Sequence, residues 1–338
     1  MILPDTNKPI RISFGVMALA MVLIAWLHLG VLVLTSLFGF FILNKLRMGV
    51  SKKFAVIVYA ILIIVASYLL VHLSRQAITT LPEIAEQVIP KVVSYAEEKQ
   101  IDLPFADYAG AKTVTLDAVK ESIASIGQHV RNAVFGFAQL LIGLVLAASL
   151  YLSKQVGSDH ESETSPDSLY AIVMRNTAVR FQFFYASFSR VIGAQIIISA
   201  INTILTGGYL LLNNYPNKYR IVLLGITFLC GLLPIVGNLA SNALIVGVSF
   251  LSSPHMALVA TIFLIVIHKL EYFLNSKIIG DRTKNPMWLM LIGLVVGERL
   301  MGIPGIILAP VVLHYVKVEA SRRRFSEPEE SVAPVAAP

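Results

Sequence analysis

An apolar run from Asn285 to Lys317 carries Gly297, Glu298, Arg299, Gly302, Pro304 and Gly305 in its middle, and this interruption constrains the chain more than any other feature. The run is too long for one bilayer crossing, for which about 20 apolar residues suffice, and each half is short for a crossing of its own. Charges and helix breakers at membrane depth are tolerated only where they face protein or a water-filled cavity. The run therefore predicts a helical hairpin over residues 286–317 whose tip is a working site.

The rest of the chain supports a membrane protein. Of 338 residues, 56% are hydrophobic and 14% charged, and several further apolar runs reach or approach spanning length. Lys8 and Arg11 precede the first apolar stretch, but no small-residue cleavage site follows, so the segment reads as an anchor. Cys230 is the single cysteine, which excludes an intrachain disulfide. The net charge of +7 does not call for a nucleic acid partner, because the cations cluster in short loops and at the C-terminus, where orientation and anionic lipid use them.

In chain order, 12–27 and 29–43 form a tight apolar hairpin flanked by Lys8 and Arg11 before it and by Lys45, Arg47, Lys52 and Lys53 after it. The positive-inside rule puts both its ends, and the N-terminus, in the cytoplasm. Residues 1–74 thus read as N-terminal membrane helices, the last crossing outward. Residues 75–131 interleave acids and lysines with apolar residues at helical spacing, which predicts an extracytoplasmic helical insert broken into pieces at Pro82, Pro90 and Pro104. Residues 132–318 follow as the core, opening with a return crossing. Within it, 157–168 is a polar loop without chemistry, and 168–190, where Arg175, Arg180 and Arg190 alternate with Phe and Tyr, predicts a basic amphipathic helix on the inner surface. Residues 319–338 read as a disordered cytoplasmic tail.

Residues 191–212 cross outward and carry Gln195, Ser199, Asn202 and Thr206 on one face. Interhelical hydrogen bonding and a cavity lining both explain that face. The run 221–252 is broken at Pro234, Gly237 and Asn238. Parity assigns its topology: the span starting at Pro254 ends in the cationic loop Lys277, Arg282 and Lys284, which belongs inside, so both ends of 221–252 lie outside. It is a hairpin entered from outside, and 286–317 is its counterpart from inside. Broken hairpins of this kind build ion and solute sites, because half-helix ends expose unpaired N–H and C=O groups. Surface turns between ordinary short helices would give the same parity, so re-entrant and spanning hairpins both remain open.

Between the hairpins, His268, Glu271, Asn275 and Arg282 share one helical face. A carboxylate within an apolar span is a functional candidate, with proton coupling or a position-fixing salt bridge as the two readings. No second His follows at metalloprotease spacing. No nucleophile and base arrangement or metal-ligand set is evident, so neither an enzyme nor a cofactor is expected. The expected class is all-α: a polytopic helical membrane protein with two broken hairpins and an extracytoplasmic helical insert.

The segment from Leu232-Leu233-Pro234-Ile235-Val236-Gly237, through His268-Lys269-Leu270-Glu271 and Lys277-Ile278-Ile279-Gly280, to Val296-Gly297-Glu298-Arg299-Leu300-Met301-Gly302-Ile303-Pro304-Gly305 and Ala309-Pro310 resembles the autoinducer-2 exporter family of bacterial membrane proteins. The resemblance covers nearly the whole chain, with its motifs in the last third. It implies a transporter of the bacterial inner membrane that assembles as a homo-oligomer, a pentamer among the candidate states, and that moves a small polar solute or exchanges monovalent cations for protons. The sequence departs from the family pattern at Asn238, where Gly or Pro is usual, at Glu298, where a small residue is common, and before Lys277, where Pro is absent.

The expected function is secondary transport by alternating access around the two tips and the Glu271 helix. Glu271 is the ion or proton acceptor, with His268 and Arg282 as candidate partners and Asn202, Asn238 and Asn275 as neutral or same-face polar groups. Gly237, Gly297, Gly302 and Gly305 permit close backbone approach, Pro234 and Pro304 interrupt the helices, and Glu298 with Arg299 marks the inner tip. An oligomeric scaffold or passive pore is the competing class.

Overall fold

The computed structural model describes residues 8–47, 51–100, 126–153, 168–233, 236–279 and 285–321, without the side chains of 126–133, 236, 272 and 275–279. Pro234, Arg282, Lys284, the loop 157–167, residues 101–125, the tail from 322 and the Asn275 side chain lie outside this set. The described elements are all helices: α1 (Lys8–Trp26), α2 (Gly30–Leu46), α3 (Lys52–Glu98), α4 (Ile126–Leu152), α5 (Leu169–Leu212), α6 (Asn217–Gly231), α7 (Val236–Ser252), α8 (Pro254–Ile279), α9 (Met287–Met301) and α10 (Ile303–Ser321). Six of them meet the length and apolarity of a membrane crossing. The chain is a polytopic helical membrane protein.

Two helices exceed any single crossing. α3 has 47 residues and α5 has 44, or about 70 and 66 Å at 1.5 Å per residue, against a hydrocarbon core of about 30 Å. Each starts at a serine cap: Ser51 Oγ accepts from the Phe54 N–H at 3.3 Å, and Ser168 Oγ from the Ala171 N–H at 3.1 Å.

α5 is the spine, and its two halves carry different partners. Along the first half, Arg180 meets Ser13 of α1, Phe184 meets Tyr315 of α10, Tyr185 meets Asn44 of α2, and Phe188 packs edge-on against Phe38. Along the second half, Gln195 and Ser199 reach α6, Asn202 reaches α8, and Tyr209 packs on Ser249 of α7 and Phe263 of α8. The hairpins α1–α2 and α9–α10 thus belong to one half, and α6–α7 with α8 to the other.

The segment 169–190 is the first half of this continuous helix, with Thr177, Arg180, Phe184, Ser187 and Phe188 buried, rather than a separate surface helix. Phe184, Tyr185 and Phe188 pack on α10 and α2, while Tyr170, Met174, Val179 and Phe181 remain exposed.

α3 also passes both halves. Ala55 and Tyr59 share a buried cluster with Leu43 of α2 and Tyr151 of α4. Ile84 enters the cluster of Tyr209, Tyr219, Leu223, Ile245 and Val248, and the Lys91 Nζ donates to the Leu251 carbonyl at 2.6 Å. Glu83 pairs with Lys218 of α6. Pro82 and Pro90 lie inside the helix instead of dividing it. A proline in a helix interior forfeits a hydrogen bond and costs about 3 kcal/mol, and the side-chain contacts with α6 and α7 hold the helix through both.

The α9–α10 hairpin turns on Gly302, whose φ of 64° and ψ of −141° suit glycine alone; its N–H donates to the Glu298 carbonyl at 2.7 Å. Below the turn α9 and α10 touch backbone to backbone, since a Cβ on Gly297 would lie 2.5 Å from the Gly305 carbonyl oxygen and one on Gly305 would come closer still to Gly297. Gly305→Ala should therefore destabilise the protein by about 1–3 kcal/mol, the usual range for overpacking. Gly136→Ala, where a Cβ meets nothing within 4 Å, should not. Thermal unfolding in detergent followed by circular dichroism compares the two, and equal midpoints would refute the close approach.

Candidate functional site

Glu271 sits on α8 where that helix crosses α5 and the first turn of α7, and its side chain is 13% exposed. Asn238, two residues into α7, aims one amide group at the carboxylate: Nδ2 lies 2.9 Å from Oε1 and 2.7 Å from Oε2. From α5, Asn202 Nδ2 approaches Oε2 at 3.4 Å. The first turn of α7 adds the positive end of a helix dipole, which favours an anion. An ionised carboxylate only accepts hydrogen bonds, and here the amide donors that surround it are neutral. Among the described residues no Lys or Arg is bonded to the carboxylate.

His268 lies one turn earlier on α8. Its Nδ1 is 3.7 Å from Glu271 Oε2, and its Nε2 is 2.7 Å from Asn242 Nδ2 on α7. Asn202 is buried, and its Oδ1 has no hydrogen-bond partner. A buried unpaired acceptor costs about 1–3 kcal/mol, so an oxygen left bare beside a carboxylate is a place for a cation or a donor.

The end of α6 and the start of α7 bring Asn238 here. α6 ends at Gly231 with carbonyls that no further turn can satisfy. Ser199 Oγ donates to the Phe228 carbonyl and Gln195 Nε2 to the Gly231 carbonyl, both at 2.6 Å. A Cβ on Gly237 would collide with the Cys230 backbone, so the glycine lets α7 leave the tip close against α6. Of the polar face 195–206, Gln195 and Ser199 serve as interhelical bonds and Asn202 faces the carboxylate.

The inner tip has other neighbours. His28, at a φ of 52° in the turn between α1 and α2, donates from Nδ1 to the Leu300 carbonyl at 3.1 Å. A Cβ on Gly30 would lie 3.0 Å from the Pro304 Cβ. Glu298 and Arg299 are 3.9 Å apart and 55% and 86% exposed, a loose pair on the outside of the tip. Glu271, His268, Asn238 and Asn202 come together; the contacts of Gly297, Gly302, Pro304 and Gly305 are within their own hairpin or with the α1–α2 turn.

Two partners escaped the sequence, and so did the pairing of a third residue. Asn242 stands one turn after Asn238 and a 3.6-residue count would have found it. Gln139 of α4 ties the α1–α2 turn to the first turn of α2, donating to the His28 carbonyl and accepting from the Leu32 N–H; a lone Gln in an apolar run gave no such signal. The buried Arg180 pairs with Glu319 and Ser13 and lies over the Phe14 ring, 3.3 Å from its centroid.

A family model described as AI-2E family transporter matches residues 12–321 of the chain. The chain is also 24% identical, over 292 residues, to a Bacillus subtilis (strain 168) protein named "Putative transport protein YdbI", covering 83% of this chain and 82% of that one.

Proposed function

The chain belongs to the AI-2E transporter family, and on that premise we propose that it is a secondary transporter whose coupling site is the Glu271 cluster. The observation that carries this reading is a carboxylate, nearly buried in a membrane helix, whose hydrogen-bonding partners are neutral amides and which sits beside the bare Asn202 Oδ1. A proton or a monovalent cation neutralises such a group without breaking any ion pair. The cargo is a small polar solute, autoinducer-2-like by family resemblance, exported from the bacterial cytoplasm. The bare acceptor favours a second reading, exchange of Na+ or Li+ for protons, because it adds a neutral oxygen ligand to the carboxylate, as hard cations require.

Alternating access follows from the division of α5. The unit α6–α8 moves against the two inner hairpins, and each grips a different half of the same helix. N- and C-termini are cytoplasmic, and the protein works as a homo-oligomer in the inner membrane.

Proteoliposomes containing a trapped pH dye test the proposal. An imposed Na+ or Li+ gradient, or a gradient of autoinducer-2, should drive saturable proton movement. Flux that rises linearly with gradient, or none with any of the three, would favour a passive pore or a scaffold.

A further inference from the structure

Resting on the coupling role proposed for Glu271, we infer that His268 is the group through which Glu271 exchanges its proton with water, and that Asn242 sets the tautomer that makes this work. Three observations carry it. The His268 side chain is 48% exposed while that of Glu271 is 13% exposed, so the imidazole is the more accessible end of the pair. The two rings of contact run in series: Asn242 Nδ2 to His268 Nε2 at 2.7 Å, then His268 Nδ1 to Glu271 Oε2 at 3.7 Å. With an amide donor on Nε2, the ring proton of neutral His268 resides on Nδ1, facing the carboxylate.

A polar pair exposed on an apolar helix bundle also needs water or protein opposite it. We take water to be what faces the edge where α7 and α8 meet, marked by Asn242 and the half-exposed His268.

The step balances. A proton from water binds Nε2 as the Asn242 amide turns aside, giving an imidazolium. Once the two side chains close from 3.7 Å to hydrogen-bond distance, the Nδ1–H bond breaks as an O–H bond forms on Glu271 Oε2, leaving neutral His268 and a carboxylic acid. Return of the Nε2 proton-acceptor to Asn242, after the ring exchanges its tautomer through water, completes the cycle. Among the described side chains the charged neighbours are few. α7 carries no acid, Lys, Arg or His, nor does α5 between Val191 and Leu212, and on α8 the described ionisable side chains adjoining His268 are Lys269, exposed, and Glu271.

The test is the rate at which Glu271 gains its proton after a pH jump, read from the infrared band of the protonated carboxyl in the full-length protein in lipid. The band is assigned by its loss in Glu271→Gln. His268→Gln should slow its appearance by about tenfold or more, as expected when a positioned acid–base group is removed, and added imidazole should restore much of the rate. Asn242→Leu should slow it less. A structural role for His268 would move the equilibrium midpoint and leave the rate unchanged, and an unchanged rate in a correctly folded His268→Gln or His268→Asn protein overturns the inference. A band absent from the wild type, or surviving in Glu271→Gln, refutes the coupling role of Glu271 and the inference with it.

Discussion

Glu271→Gln should leave a folded, inserted protein whose transport no longer responds to a proton gradient. The replacement keeps the volume and one carbonyl oxygen, so the packing at the crossing of α5, α7 and α8 survives. It does change the hydrogen bonding. Asn238 Nδ2 now faces two carboxylate oxygens, at 2.9 and 2.7 Å, and a glutamine offers one oxygen and two donors. The Asn238 amide turns over to accept from the new N–H group, and Asn202 Oδ1, bare in the native protein, is positioned to accept as well. Stability is therefore nearly unchanged. Coupling is lost because no proton or cation can be taken up in exchange for a charge, and proton-linked flux should fall by about 100-fold or more, the scale on which removal of an acid–base group acts. Glu271→Asp should retain part of the flux, since the shorter carboxylate keeps the charge and loses the geometry. Dye-reported proton flux in liposomes measures both, with circular dichroism as the folding control; wild-type pH dependence in Glu271→Gln would remove the residue from coupling.

The parts of this architecture that sequence exposes are those that obey local rules. Two broken hairpins follow from Gly and Pro inside apolar runs, and Glu271 stands out because a carboxylate in an apolar span needs a reason. Asn238 drew attention as a departure from the family pattern and proves to be the principal donor to Glu271. The length of α3 was hidden for the opposite reason. Pro82 and Pro90 are strong local breakers, and what overrides them, Ile84 in the cluster with Tyr219 and Ile245, is packing between segments more than 130 residues apart. The inner tip shows the limit of composition from another side. Glu298 and Arg299 are conspicuous in a sequence, yet they form a loose, exposed pair, whereas Arg180, one of three arginines in an aromatic stretch, is buried. Whether a cation lies on a surface or in a core depends on the helices that arrive from elsewhere in the chain, here α1 and α10.

Arg180→Met should be the most destabilising single change among these. The guanidinium joins three helices: Nε donates to Ser13 Oγ of α1 at 2.9 Å, Nη1 pairs with Glu319 of α10, and the plane covers the Phe14 ring. Its side chain is 7% exposed and that of Glu319 15%, so solvent screens the pair little. Removing one partner of a buried pair leaves the other charge uncompensated, at about 3–5 kcal/mol. The double replacement Arg180→Met with Glu319→Met should recover most of that loss, because an apolar pair of similar volume replaces a desolvated one. Recovery would show that the penalty belongs to the stranded carboxylate; a double mutant as unstable as the single would assign it to the lost contacts with Ser13 and Phe14. Cys230, the single cysteine, lies in the other half of the protein at the end of α6, so the rate at which it reacts with a thiol reagent on heating reports on that half alone. If α5 transmits the loss, circular dichroism and Cys230 labelling should shift together in Arg180→Met. A shift in the first without the second would mean that the two halves of the spine unfold independently, and a transporter that moves one half against the other has reason to be built that way.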